Sequence, residues 1–289
     1  MPELTVVIPA WGSYVDRLPE ALASVAAQDV PVETVVVADS ADALHAVAVA
    51  DSAGSPAVPP AVAGGDSAIR FVGTGGQTSV GETRNIGLAV VTTRFVMFWD
   101  ADDLLAPGAL RALLDVARTA PGAVAVYGRI LRRDTGARYD FPPAWAGRVA
   151  RYRTVFAVLN TVRLLYPVVG SVLRTEVVRD AGGFPDHPSG EDWALGVSLA
   201  FRGEVREVPV DCRVYRVSSD SLSGRQSNAG AVWARRRRVL RHLTGDPGVP
   251  RWVARAAPLI MVAQAVDVRL FRAVRSRRKR RAAPPAGVT

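Results

Sequence analysis

Three carboxylates crowd into four positions, Asp100-Ala101-Asp102-Asp103, directly after the apolar run Phe95-Val96-Met97-Phe98-Trp99 and before Leu104-Leu105. Like charges at the end of a buried segment repel one another and lose hydration, so the pattern calls for positive charge against them. Carboxylates gathered on one rim of a sheet suit a hard divalent cation, Mg²⁺ or Mn²⁺, which takes oxygen ligands and keeps positions open for water and phosphates. The competing reading is that Asp102 or Asp103 caps a helix entered at Pro107, but one cap accounts for one carboxylate and not three. A second acidic pair, Glu191-Asp192, opens a helical pattern carried by Trp193, Leu195 and Leu199. A carboxylate so placed can act as a general base toward a hydroxyl. It can also stabilise the helix N-terminus through the dipole, worth about 0.3–1 kcal/mol.

Two other chemistries fail on spacing. A calcium loop starting at Asp100 needs glycine at its sixth position and glutamate at its twelfth, where the chain has Leu105 and Arg111. The segment Gly75 to Thr83 has the glycine spacing of a phosphate-binding P-loop, but Glu82 stands where that loop needs lysine. Cysteine and histidine chemistry is thin as well: Cys212 is the single cysteine, and the histidines are His45, His187 and His242. This excludes an intramolecular disulfide and a cysteine-based zinc cluster.

The elements that must position these acids are legible in the apolar pattern. Leu4 to Pro9 and Thr34 to Ala38 are continuous β-branched runs, as expected of strands buried on both faces of a parallel sheet. Pro19 to Gln28 has helical spacing between them. A second β-α-β unit is predicted from Arg94 to Trp99, a helix over Pro107 to Arg118 with proline in its first turn, and Ala123 to Ile130. The sheet is therefore mostly parallel, with ligands expected at the carboxyl ends of its strands. Pro9-Ala10-Trp11, Asp39 and the Asp100–Asp103 cluster all fall there. Residues 51–67, rich in Ala, Gly, Pro and Ser, read as a surface insertion. The N-terminus has an acid where an export signal needs bases, and its first apolar run ends at Pro9, so it reads as a first strand.

The ordered set V-V-I-P-A-W, V-V-A-D-S-A-D, G-E-T-R-N-I-G-L-A, F-W-D-A-D-D and G-G-F-P-D…G-E-D-W-A-L, spanning roughly residues 4–222, resembles the family 2 glycosyltransferases. The resemblance implies an α/β GT-A fold over residues 1–224, with a nucleotide-sugar-binding half over 1–130 and an acceptor-binding half over 131–224. It further implies inverting transfer of a sugar from a nucleoside-diphosphate donor, assisted by Mn²⁺ or Mg²⁺. Carried over residue by residue, Pro9, Ala10 and Trp11 wrap the nucleotide and Asp39 bonds the base. The donor is expected to be a UDP-sugar, although Ala38 replaces the first of two acids often found there. Arg84 and Asn85 lie near the diphosphate or the sugar; the alternative is that Asn85 caps a helix and Arg84 pairs with Glu82. Asp102 faces the ribose and the metal, Asp103 the metal, and Asp100 orients the loop. Asp192 matches the base, with Glu191 in support. The family's Y-R-x-H stretch is Tyr215-Arg216-Val217-Ser218 here, so a water, a phosphate oxygen or His187 must fill the histidine's place. No Q-x-x-R-W motif of processive synthases occurs, and one sugar per encounter is expected.

The net charge of +9 is unevenly divided. From Arg225 onward there are 16 Lys+Arg against Asp246 and Asp267, or +14, whereas the rest has 20 bases against 25 acids, or −5. Residues 225–289 therefore form a basic helical extension, in which Trp233, Trp252 and Phe271 lie among arginines. Arg255, Pro258, Asp267 and Arg269 interrupt any membrane span. Two readings stand: a helix lying on an anionic membrane surface, or helices packed on the body with a solvated basic end. The enzyme is expected in the cytoplasm, peripheral at the inner face of the plasma membrane, with a glycan or lipid-linked acceptor. Two rivals fare worse. A nucleic-acid-binding protein leaves the rim carboxylates unexplained and sets an acidic body beside a polyanion. A sugar-phosphate nucleotidyltransferase needs a basic glycine-rich N-terminal loop, and here no base precedes Arg17.

Overall fold

In the computed structural model of the protein, residues 1–38, 69–76, 78–216 and 229–282 are described. Four strands run parallel in the order β3-β2-β1-β4: β1 (Leu4–Ala10), β2 (Glu33–Ala38), β3 (Ile69–Gly73) and β4 (Phe95–Phe98). Next to β4 lies the antiparallel β7 (Val172–Arg174). Beyond it, β6 (Ala123–Arg132) and β8 (Glu204–Tyr215) return to the common direction. The short β5 (Leu104–Leu105) closes that edge antiparallel to β8. The expected mostly parallel sheet is present, with β7 inserted between the two strands β4 and β6.

The two-faced apolar runs follow from a three-layer build. Leu4, Val6, Ile8, Phe95, Met97 and Trp99 join one core with α1 (Leu18–Ala26) and α3 (Ala109–Thr119). Val7, Val96 and Phe98 join the other, beneath α2 (Val80–Val90), α4 (Ala146–Ala150), α5 (Arg153–Val162), α6 (Thr175–Asp180) and α7 (Glu191–Arg202). Gly87 lets α2 approach closely, because a Cβ there would lie 2.3 Å from Val7 Cγ1.

Helix α3 starts later than its proline predicted. Gly108, at φ +71°, ends the turn begun at Pro107, and the Leu110 N–H is taken by Gln28 Oε1 at 3.1 Å. Gln28 thus supplies a bond at this helix start that the competing reading gave to Asp102 or Asp103, and those carboxylates have other partners.

The basic extension begins as part of the packed body. Val239, Leu240 and Leu243 of α8 (Ala229–Gly245) meet Trp193, Ala194 and Val197 on the outer face of α7. Val249, Val253 of α9 (Arg251–Arg255) and Ile260 of α10 (Ala257–Ala282) complete this third core. Arg202, at the end of α7, grips Asp246 with two bonds of 2.8 and 2.7 Å and adds a third to Asp180. Among the described residues no helix is long and apolar enough to cross a membrane.

Candidate active site

The positive charge demanded by the rim acids comes first from arginines. Asp100 accepts from Arg84 at 2.9 Å and from Arg213 at 2.6 Å. Asp103, fully buried, accepts from Arg213 Nε at 2.5 Å and from the Arg216 N–H at 3.0 Å, and its carbonyl takes the Trp99 indole N–H. Among the described residues Asp102 meets only the edge of Arg17, at 3.5 Å. Arg213 is fixed in turn by the Val169 carbonyl.

The three acids respond differently. Burial opposes ionisation of Asp100, but the Arg213 and Arg84 guanidiniums outweigh it and hold its pKa below the ordinary value. Burial, followed by the charge of Asp100, raises Asp102. Asp103 is pushed up to about 7 by burial, against the pull of Arg213 and with Asp100 and Asp102 adding repulsion. Both of its oxygens nevertheless accept from N–H donors, the partner set of an ionised carboxylate.

Arg84 projects from α2, whose N-terminus is capped by Ser79 through the Glu82 N–H. It is buried and bonds Glu191 at 3.0 Å as well as Asp100, so the end of β4 and the start of α7 share one guanidinium. Glu82 is not its partner. Asn85 does not cap a helix: its side chain donates to the Phe184 carbonyl at 2.7 Å and accepts the Phe184 N–H at 2.9 Å. Gly183, at φ +71°, is required beside it, since a Cβ would come within 2.4 Å of Asn85 Oδ1.

Helix α7 follows Gly190, which has φ +84°, and puts both acids in its first turn. Glu191 is buried, and burial followed by the Asp192 charge raises its pKa despite Arg84. Asp192 accepts the Trp193 N–H at 2.7 Å, and no guanidinium pairs with it among the described residues.

A cleft of about 490 Å³ opens over these groups. Of the residues singled out from sequence, Pro9, Trp11, Arg84, Asp100, Asp102, Glu191 and Asp192 line it. Ala10 is buried in β1, Asn85 serves the Phe184 loop, and Asp103 sits beneath the rim, so these three do not. Asp39, the insertion 51–67 and Ser218 lie outside the described residues. His187 stands edge-on to His242, with ring centroids 6.1 Å apart, away from the cleft. Sequence reasoning missed Arg213, Tyr14, Tyr139 and Arg163, all on the wall beside Tyr215, the first residue of the Y-R-x-H match. Only Arg213 left a signal, in the demand for charge opposite the acids. Trp11 and Tyr14 pack with centroids 5.4 Å apart and ring planes tilted by 55°, an aromatic corner on the cleft wall.

The donor set fits a divalent cation in one form only. Asp103 is spent on Arg213, and no group of three His, Cys, Asp or Glu able to hold a metal occurs among the described residues. Of the three acids at the end of β4, Asp102 alone offers the cleft a carboxylate that no buried arginine has claimed, and Mg²⁺ or Mn²⁺ held by one or two carboxylates plus substrate phosphates is an ordinary arrangement.

A parallel sheet with acids at the carboxyl end of its central strand, and a second acidic helix start across the cleft, defines a GT-A type glycosyltransferase scaffold. The model of Glycosyl transferase family 2 matches residues 5–179, and the chain belongs to that family. Among solved structures, the chain is similar to Staphylococcus aureus TarS 1-349 in complex with UDP, at 15% identity and TM-score 0.60, covering 86% of this chain and 67% of that one. The same protein in complex with UDP-GlcNAc gives TM-score 0.58 at 15% identity, covering 86% and 68%. The mannosyltransferase PcManGT from Pyrobaculum calidifontis, in complex with GDP-Man and Mn²⁺, gives TM-score 0.56 at 19% identity, covering 94% and 75%. These likenesses are of fold. A comparison with curated proteins found no match.

Proposed function

We propose that the cleft performs inverting transfer of a sugar from a nucleoside-diphosphate donor, UDP-linked by preference, to an acceptor hydroxyl. The observation that carries this is the pairing of Asp102 and Asp192 on one cleft, each beside an acid that arginine has already claimed. Asp192 takes the hydroxyl proton as the acceptor oxygen attacks the anomeric carbon. The bond from that carbon to the diphosphate breaks, and its electron pair leaves with the phosphate. Because attack and departure occur on opposite faces, no covalent enzyme intermediate is needed, and the work is mainly positioning. Arg84 acts as a positioning residue, tying Asp100 to Glu191. Pro9, Trp11 and Tyr14 provide the wall for the nucleotide.

Asp102 would hold the divalent cation, Mn²⁺ or Mg²⁺, whose contribution when bound is to neutralise the departing diphosphate. Residues 1–130 form the donor half and 131–224 the acceptor half. Glycans or lipid-linked precursors of the cell envelope suit the acceptor side, with one sugar added per encounter. The support from known structures is that similar folds bind UDP, UDP-GlcNAc or GDP-Man, in one case with Mn²⁺. The test is calorimetry of UDP binding with and without Mn²⁺, followed by a screen of nucleotide sugars for Mn²⁺-stimulated turnover. Tighter UDP binding with metal and turnover of one donor are expected. Equal affinity in both conditions would overturn the metal's role, and loss of all turnover with UDP- and GDP-sugars alike would overturn the reaction.

A further inference from the structure

Helix α10 is packed on one side and bare on the other. Its inner face carries Ile260 and Gln264; Gln264 is 1% exposed and donates to the Thr161 carbonyl of α5 at 2.8 Å. Asp267 on the flank pairs with Arg236 at 2.9 Å and with Arg163 at 3.7 Å. The opposite face presents Leu259, Val262, Val266 and Leu270, all between 50% and 73% exposed. These recur at i, i+3, i+7 and i+11, one stripe along a helix. The same helix then continues into Arg272–Arg281, where seven of ten residues are basic and none is acidic.

We infer that this stripe and the basic run after it form a docking face that lies in the plane of an anionic lipid surface. One-sided apolarity next to clustered bases is the composition of an interfacial helix, which buries its stripe at the headgroup boundary and pairs its cations with anionic lipid. Charge decides against a second copy of this chain as the occupant, because it would cover the stripe without bringing any excess of negative charge to the basic run, whereas an anionic lipid surface answers both. It also decides against a nucleic acid, which would engage the bases but leave the stripe bare. The face adjoins the cleft: Arg163 and Leu164 line the cleft, immediately follow α5, and Arg163 reaches Asp267 on α10. Helix α5 adds its own exposed pair, Val155 and Leu159, one turn apart. A protein resting on α10 therefore holds the Arg163 side of the cleft beside the bilayer, where a lipid-linked acceptor keeps its chain in the membrane. The choice of acceptor rests on the transferase reading; the docking itself does not.

The experiment is co-sedimentation of the full chain with vesicles of phosphatidylcholine alone or mixed with phosphatidylglycerol, at about 0.1 M and about 1 M salt, where screening lengths are roughly 10 and 3 Å. Binding is expected with the anionic vesicles only, and to fall by about tenfold or more at high salt. The triple variant Val262→Ser, Val266→Ser, Leu270→Ser and a variant with the bases of 272–281 changed to Gln should each lose about tenfold or more, while binding UDP as the parent does. Equal binding to neutral vesicles, or a triple variant that binds like the parent, would overturn the inference. So would a dimer in ultracentrifugation that the triple variant dissolves while vesicle binding is absent. Loss of UDP binding by the parent chain would instead strike the transferase reading and leave the docking result standing.

Discussion

The two acidic clusters that face each other across the cleft are handled differently, and the difference separates held groups from free ones. At the end of β4, Asp100 meets two guanidiniums and its pKa falls; at the start of α7, Glu191 meets one, and burial still raises its pKa. At Glu191 burial together with the neighbouring Asp192 charge outweighs one guanidinium, whereas at Asp100 two guanidiniums outweigh burial. In each cluster the neighbour, Asp102 or Asp192, is turned to the cleft with its carboxylate largely unclaimed by arginine. The bound acids build the frame and the adjoining acids meet the ligand.

The largest effect should come from the frame. Arg213→Met would leave Asp100 and Asp103 short of their shared cation, and removing one partner of a buried ion pair typically costs about 3–5 kcal/mol. Urea unfolding should show that loss; a change under about 1 kcal/mol would mean that Arg213 is not what holds the β4 acids. Next comes Asp192→Asn, expected to lower turnover by at least ~10²-fold while UDP affinity is kept. Turnover close to the parent's would transfer the base role to Glu191 and erase the distinction drawn between the two.

Asp102→Asn should abolish the gain in UDP affinity that metal gives, an effect of about tenfold, or 1.4 kcal/mol, in calorimetry. If Asp103→Asn did this instead, with the fold intact, the frame and ligand roles at β4 would have to be exchanged. The smallest effect concerns pH. A raised carboxyl pKa means that Glu191 favours the fold below its unfolded value near 4.5 and that this contribution is lost as pH rises through the folded value. Glu191→Gln escapes that loss, so its melting temperature relative to the parent should improve by a few degrees at most as pH climbs from 4 toward 7. A relative decline over the same range would mean that Arg84 outweighs burial at α7 as well.

Much of this was legible in the chain because it is local. Runs such as Leu4 to Pro9 and Phe95 to Trp99 are apolar on both faces, which only a strand between two helical layers requires, and the acids that follow them must fall on one rim. The start of α3 was misjudged since Gln28, some eighty residues away in sequence, supplies its cap. Arg213 was not found because a single arginine in a strand carries no periodic signal; it meets Asp103 across 110 positions. Arg84 was read toward phosphate, but only the folded chain brings Asp100 and Glu191 to it together. The extension was weighed between packing and membrane, and α8 to α10 show that one helix can bury Ile260 and leave Leu259 bare.

The guanidinium of Arg84 is also a spacer of fixed length. Its NH1 and NH2 lie on one rigid plane, and each touches a different wall of the cleft, through Glu191 on one side and Asp100 on the other. The gap between the two walls is thereby gauged by bond angles that do not relax, where a flexible pair of contacts would let it breathe. Lysine cannot take over this duty, because a single ammonium on a soft stem has no second arm to set the width.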